Sequence, residues 1–183
     1  MDEIYIQQVL RGNIHSYRYL VEKYKNMVFT IARNITKDDL VAEEVAQDSF
    51  LKAFQNLEKF RKRSKFSTWL YKIVVNESMR KTRKRKLPFE HLNDVEPNDN
   101  LIRIEPEAIG YLHEEEQKEM ICNILNTLTT SESLILRLFY LEELNLKEVS
   151  KITGFSLSNV KVILYRARRK FAARVKKSAS LIQ

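Results

Sequence analysis

Cysteine is almost absent from this sequence. Cys122 is the single one, which excludes an intramolecular disulfide and fits a reducing compartment. It sits among Ile121, Ile124 and Leu125, a setting that predicts a buried structural thiol. Three glycines and three prolines in 183 residues leave few helix breakers, so long helices are expected and a β-rich fold is disfavoured. No apolar run approaches the ~18 residues needed to span a bilayer. The opening MDEIYIQQVLRGNIH has early acids and no apolar core, unlike a secretory signal. A soluble, cytoplasmic chain with no membrane insertion of its own is expected. His15, His91 and His113 lie far apart without metal-ligand spacing, Cys122 has no CxxC partner, and no glycine-rich phosphate loop is present. Neither an enzyme nor a cofactor or metal is expected.

What is abundant is positive charge. The 32 Lys and Arg exceed the 24 Asp and Glu, giving a net charge of +8, which favours a polyanionic partner such as nucleic acid or an acidic membrane surface. The bases are clustered. Residues 80–86 (RKTRKRK) hold six in seven, and residues 161–177 hold eight with no acid. Between them, residues 90–116 carry nine acids against one base, Arg103, together with Pro97 and Pro106. That stretch reads as a flexible linker between two basic helical modules. The expected fold is all-α: a helical domain over 1–86, an acidic linker over 87–115, and a second domain over 116–183.

In the first module, Ile14, Tyr17, Leu20, Val21, Tyr24, Val28, Ile31 and Ile35 recur at three- and four-residue steps, the core face of one long helix. After a break at Thr36–Asp39, a second helix carries Val45, Ala46, Ser49, Phe50, Ala53, Phe54 and Leu57 as its apolar stripe. Its other side shows Glu43, Glu44, Gln47, Asp48 and Leu51. A third helix begins near Thr68, with Ser67 as the expected cap. Along it Lys72, Asn76, Arg80 and Arg83 form a polar ridge at four-, four- and three-residue steps, while Leu70, Ile73, Val74 and Glu77 face inward or sideways. Bases interleaved with Phe60, Phe66, Trp69 and Tyr71 suit a single nucleic-acid strand, cations meeting phosphates and aromatics meeting bases. Trp69 also fits a core anchor supporting the preceding loop.

The second module has sharper local signals. Thr129 and Glu132 have capping-box spacing before SLILRLFYL, and Asn145 and Glu148 repeat it before a short helix over Leu146–Ile152. Gly154 suits the left-handed turn at a helix end, and Ser156 caps the next helix. Short helix, glycine turn and capped longer helix make a helix-turn-helix. Val160, Leu164, Ala167 and Phe171 should pack inward, leaving Ser158, Val162, Tyr165, Arg166 and Arg169 on the far side and Lys161 on a flank. The start of such a second helix enters the major groove. For Lys161 and Arg169, base reading and plain phosphate contact are both open.

Three segments resemble bacterial sigma factors of the extracytoplasmic-function class of the sigma-70 family. EEVAQDSFLKAF is similar to the segment that docks on RNA polymerase, with Asp48 where the family commonly has Glu. FRKRSKFSTWLYKIVVNESMRKTRKRK is similar to the segment that melts the −10 promoter element, with Lys62 where the family often has Gly. LNLKEVSKITGFSLSNVKVILYRAR is similar to the −35-binding region, with Ser150 for a usual Ala and Val162–Ile163 for a frequent Ser–Arg. The resemblance spans roughly residues 14–84 and 116–174.

It implies a non-catalytic initiation factor with an ordered set of contacts. Glu44, Gln47, Asp48 and Leu51 would dock on the clamp of the polymerase's largest subunit, and the second domain would meet the flap. Arg61, Lys62, Arg63, Lys65, Phe66, Trp69, Lys72, Asn76 and Arg80 would hold the −10 strand, the loop over 61–66 capturing an unstacked base. With Lys62 in place of Gly, that loop is expected to be less tightly turned and more electrostatic. Ser156, Ser158, Asn159, Lys161, Val162, Tyr165, Arg166 and Arg169 would meet −35 duplex. An anti-sigma factor is the further partner that the resemblance implies. A stand-alone helix-turn-helix regulator acting without polymerase, and an RNA- or anionic-surface-binding adaptor, are the competing readings.

Overall fold

The computed structural model describes residues 1–82 and 114–179, and the chain divides into two compact units. The elements are α1 (Asp2–Leu10), α2 (Tyr17–Thr36), α3 (Asp39–Gln55), α4 (Phe66–Lys81), α5 (Glu114–Asn126), α6 (Thr130–Leu136), α7 (Leu146–Thr153) and α8 (Leu157–Ala179). Single 3₁₀ turns cover Ile14–Ser16 and Leu57–Lys59. There is no strand among the described residues, in keeping with the scarcity of breakers. The acidic stretch before Glu114, and the basic run from Arg83 to Lys86, lie outside the described residues. The two acids expected to end the linker, Glu114 and Glu115, open α5 instead.

In the amino-terminal unit, α2, α3 and α4 pack on one another in pairs, and α1 lies against α2. Leu20, Val28, Ile31 and Ile35 of α2 are buried as their spacing requires. Ile14 is not: the long helix begins only at Tyr17, and Ile14 stands 63 % exposed in the 3₁₀ turn before it. The gap after Thr36 has a local cause. Lys37 takes a left-handed φ of 60° and donates its N–H to Arg33 O, ending α2. Asp38 then caps α3, accepting the N–H of Val41 at 3.0 Å, which satisfies one of the unpaired donors of the first turn. Val45, Ser49, Phe50 and Ala53 of α3 and Leu70, Tyr71, Val74 and Val75 of α4 are buried where the two helices pack.

Two expectations for α4 need correcting. The helix starts at Phe66, with Lys65 at its cap position and no side-chain cap, so Ser67 lies inside the first turn. Tyr71 is fully buried and Phe66 is 4 % exposed. These rings belong to the core, where burying a large apolar side chain is worth about 2–3 kcal/mol.

The carboxy-terminal unit is built on caps. Thr129 Oγ1 accepts the N–H of Glu132, and the Glu132 carboxylate accepts the N–H of Thr129 at 3.2 Å, a closed capping box. Glu132 is itself only 1 % exposed and faces Lys170 Nζ of α8 at 2.7 Å. A π-type turn, Arg137–Leu141, follows α6. Asn145 and Glu148 cap α7 reciprocally, as the spacing predicts. Gly154 has φ 77°, and no atom lies within 4 Å of the point a Cβ would occupy, so conformation rather than space selects glycine there. Ser150, which replaces a usual alanine, donates its hydroxyl to Phe155 O at 2.6 Å and ties α7 across the turn. Cys122 is exposed on α5, not buried, because its apolar neighbours Ile124 and Leu125 face the core and it does not.

Candidate nucleic-acid interface

α3 presents the acidic face that its sequence suggested. Glu43, Glu44 and Gln47 are exposed, Asp48 is half-exposed and Leu51 is 56 % exposed. Leu51 stands on this face among the carboxylates. The acids do not stand alone. Lys81 Nζ of α4 lies 2.9 Å from Glu44 and 3.6 Å from Asp48, and Arg80 reaches Asp48 at 3.3 Å.

Beneath them is a residue whose importance the periodicity understated. Glu77 is 3 % exposed. One of its oxygens meets Lys52 of α3 at 2.5 Å and the other meets Arg80 Nε at 2.8 Å. Burial works to raise its pKa, yet the hydrogen bonds and charges of Lys52 and Arg80 outweigh that, and the carboxyl is held below its ordinary value. Arg80 is therefore anchored by two acids, where the sequence suggested a cation open to phosphate. The three-residue step from Glu77 to Arg80 was a legible signal; the reach from Lys52 was not.

Lys72 and Asn76 are exposed along α4, and Arg61, Lys62, Arg63 and Lys65 are exposed in the loop before it. That loop is as tightly turned as a glycine would make it: Lys62 itself takes φ 54°, at a cost of about 1–2 kcal/mol for a residue with a Cβ. Lys62 Nζ pairs with Glu3 of α1 at 3.0 Å. Under the loop, Phe60, Phe66 and Trp69 form a triangle with ring centroids 5.4–5.7 Å apart, and Tyr24 adds a fourth ring 5.7 Å from Phe66. Trp69 is half-buried in this cluster, so it supports the loop and still shows an edge to solvent. Phe66 supports it from within and has no open face for a base.

In the carboxy-terminal unit, Val160, Leu164, Ala167 and Phe171 of α8 are buried as expected. Ser158, Lys161 and Arg169 are exposed, while Val162, Tyr165 and Arg166 are half-buried on the same outward side. The Arg169 guanidinium lies 6.0 Å from the centroid of the Tyr165 ring. Ser156 is exposed and accepts the N–H of Asn159 at 3.2 Å, capping α8. Asn159 is a correction: it is 6 % exposed, turned into the unit instead of toward a groove, because it falls one residue before Val160 on the packed side. Ile163 is buried at 5 % exposure, which explains why a cation is not needed there.

A cationic loop over an aromatic cluster on the first unit and a helix-turn-helix on the second lie where two known family models match. Residues 20–87 match Sigma-70 region 2, and residues 118–171 match Sigma-70 region 4. The chain belongs to the sigma-70 family, in its extracytoplasmic-function class. It is 30 % identical over 156 residues to the extracytoplasmic-function RNA polymerase sigma factor SigM of Bacillus subtilis, covering 84 % of this chain and 91 % of the relative. SigW of the same organism is 28 % identical, covering 89 % and 90 %. Sigma-E of Haemophilus influenzae is 28 % identical, covering 91 % of each. The fold is shared with CnrH, solved in complex with the cytosolic domain of CnrY, at TM-score 0.62 and 22 % identity over 96 % of this chain and 97 % of that one. It is also shared with RpoE of Bartonella quintana, solved with the anti-sigma factor NepR, at TM-score 0.61 and 19 % identity over 87 % and 96 %.

A sigma factor directs RNA polymerase to promoters, and this family's role is non-catalytic. The stand-alone regulator is set aside, since it leaves the region 2 match without a purpose. No described helix is long and apolar enough to cross a membrane, and no described group of His, Cys, Asp and Glu could hold a metal ion.

Proposed function

We propose that this sigma factor divides promoter recognition between its two units, with residues 1–86 acting as region 2 and 116–183 as region 4, joined through 87–115. On polymerase core, the α3 face of Glu44, Gln47, Asp48 and Leu51 docks on the clamp of the largest subunit. Arg61, Lys62, Arg63, Lys65, Lys72 and Asn76 hold the −10 strand by phosphate attraction, and the half-exposed edge of Trp69 offers an aromatic surface to an unstacked base. Extracting a base from the duplex costs a few kcal/mol, which those contacts offset. Ser158, Lys161, Val162, Tyr165, Arg166 and Arg169 meet −35 duplex, with Ser156 positioning the helix start. An anti-sigma factor, of the kind bound to the structural neighbours, is the expected inhibitor.

The observation that carries the reading is the exposed leucine and acid face on α3, beside the exposed Lys72 and Asn76 of α4. A duplex-binding regulator has no use for either. Purified chain is mixed with core polymerase and a promoter library, and transcript starts are mapped. Stoichiometric association with core and a defined set of starts is expected. A chain that binds duplex yet never joins core overturns the reading.

A further inference from the structure

The outward face of α8 is polar and cationic except at one place. Ser158, Tyr165, Arg166 and Arg169, with Lys161 on the flank, all end in a hydroxyl or a cation. Val162 lies among them and offers two methyl groups, with no side-chain donor or acceptor.

The helix fixes where that valine points. Val160 and Leu164 are buried at 0 % and 3 % exposure. Each is two residues from Val162, and so about 160° from it round the helix axis. Val162 is therefore turned away from the side that packs, and it stays partly exposed. Its neighbour Ile163 goes inward, at 5 % exposure. Lys161 stands about 100° to one side of Val162 and Arg166 about 40° to the other, so two cations bracket a small apolar surface. That surface falls in the second turn of α8, which begins at Leu157, at the end of the helix that enters the major groove. The start of the helix is held in place. Ser156 accepts the N–H of Asn159, and Ser150 donates to Phe155 O across the turn.

Cations and hydroxyls on this face can meet phosphates or the polar edges of bases. A valine gains nothing from a phosphate, and pressing it on a polar base edge would strip that edge of water without replacing the hydrogen bonds. The one apolar group that base pairs present in the major groove is the C5 methyl of thymine. A serine, frequent at this place in the family, has no methyl to set against it.

We propose that Val162 is a specificity-determining residue of the −35 contact and reads the C5 methyl of one thymine there. The inference rests on the −35 reading above and names what one residue of it recognises.

The full chain on core polymerase is titrated with a duplex promoter taken from the mapped starts. Each thymine of the −35 element, on either strand, is replaced singly by uracil, which removes only the methyl group. For the wild type, one such replacement should weaken binding about three- to fivefold, the worth of one buried methyl. Val162→Ser should show no loss at that same position. An element with no thymine at all, a wild type indifferent to every uracil, or a Val162→Ser variant that keeps the full loss each overturns the proposal. A duplex with the whole −35 element shuffled is run beside these. If shuffling leaves wild-type binding unchanged, the −35 reading itself falls, and the role of Val162 with it. If shuffling weakens binding but no uracil does, only the role of Val162 falls.

Discussion

The two units carry their positive charge in opposite ways. In the amino-terminal unit, bases are met by acids: Arg80 by Glu77 of its own helix and by Asp48 of α3, Lys81 by Glu44, Lys52 by Glu77, Lys62 by Glu3 and Lys23 by Asp2. In α8, the eight bases over 161–177 have no acid among them. Lys170 meets Glu132 of α6, and Arg168 and Arg169 lie over aromatic rings. A helix dense in cations binds duplex by releasing counterions, steeply dependent on salt. A surface whose cations are already paired gives a weaker, shallower electrostatic pull and leaves selectivity to shape and hydrogen bonds. Positive charge is thus largely paired with acids in one unit and concentrated along one helix in the other.

Changes that remove charge from each unit should break this comparison most visibly. Lys161→Ala with Arg166→Ala should weaken binding to a −35 duplex about 10- to 100-fold and reduce its salt slope, while core association is spared. Electrophoretic titration at several salt concentrations beside a core pull-down measures both. Loss of core association as well would show that these side chains are misassigned.

Glu77→Gln tests the paired surface. It should cost the amino-terminal unit about 1–2 kcal/mol in chemical denaturation, discounted because Lys52 and Arg80 are half-exposed. The pH dependence sharpens the test. A carboxyl held below its ordinary value contributes its full stability above that value, near 4.5, and loses it as the pH falls through the folded pKa. The wild type should therefore destabilise more steeply than Glu77→Gln below about pH 4.5. Parallel curves would mean that the ion pairs contribute nothing.

Smaller effects separate the two architectures further. Thr129→Ala should cost the carboxy-terminal unit about 1 kcal/mol through the lost cap, seen as a lowered Tm of that unit, with the other unchanged. Lys62→Gly should raise the stability of the amino-terminal unit by about 1 kcal/mol, since glycine takes a positive φ without a Cβ clash. A fall in Tm would show that the Lys62–Glu3 pair outweighs the strain.

Much of the carboxy-terminal unit was legible because its signals are local. An asparagine three residues before a glutamate, a glycine after a short amphipathic run and a serine after that glycine fix both ends of α7, the start of α8 and the turn between them within about a dozen residues. The family motifs likewise placed the α3 face and the cationic loop. Side-chain fate was less legible. Phe66 and Tyr71 read as strand-facing aromatics because bases flank them, yet three packed helices needed their volume. Asn159 sits one position from the outward face, and a helix step of about 100° is enough to bury it.

By itself the sequence determined an all-helical chain, most of its helix boundaries, a helix-turn-helix and the order of two basic modules, since these follow from spacings of three and four residues and from capping. Only the tertiary structure decided that Glu77 is buried between two cations, that Arg80 is anchored and not open, that Lys62 takes a left-handed turn, and that α1 brings Asp2 and Glu3 to the loop before α4. Apart from Glu77–Arg80, a three-residue step on one helix, those pairings join residues 21 to 59 positions apart. Their geometry depends on how helices pack, which no periodicity along one helix encodes.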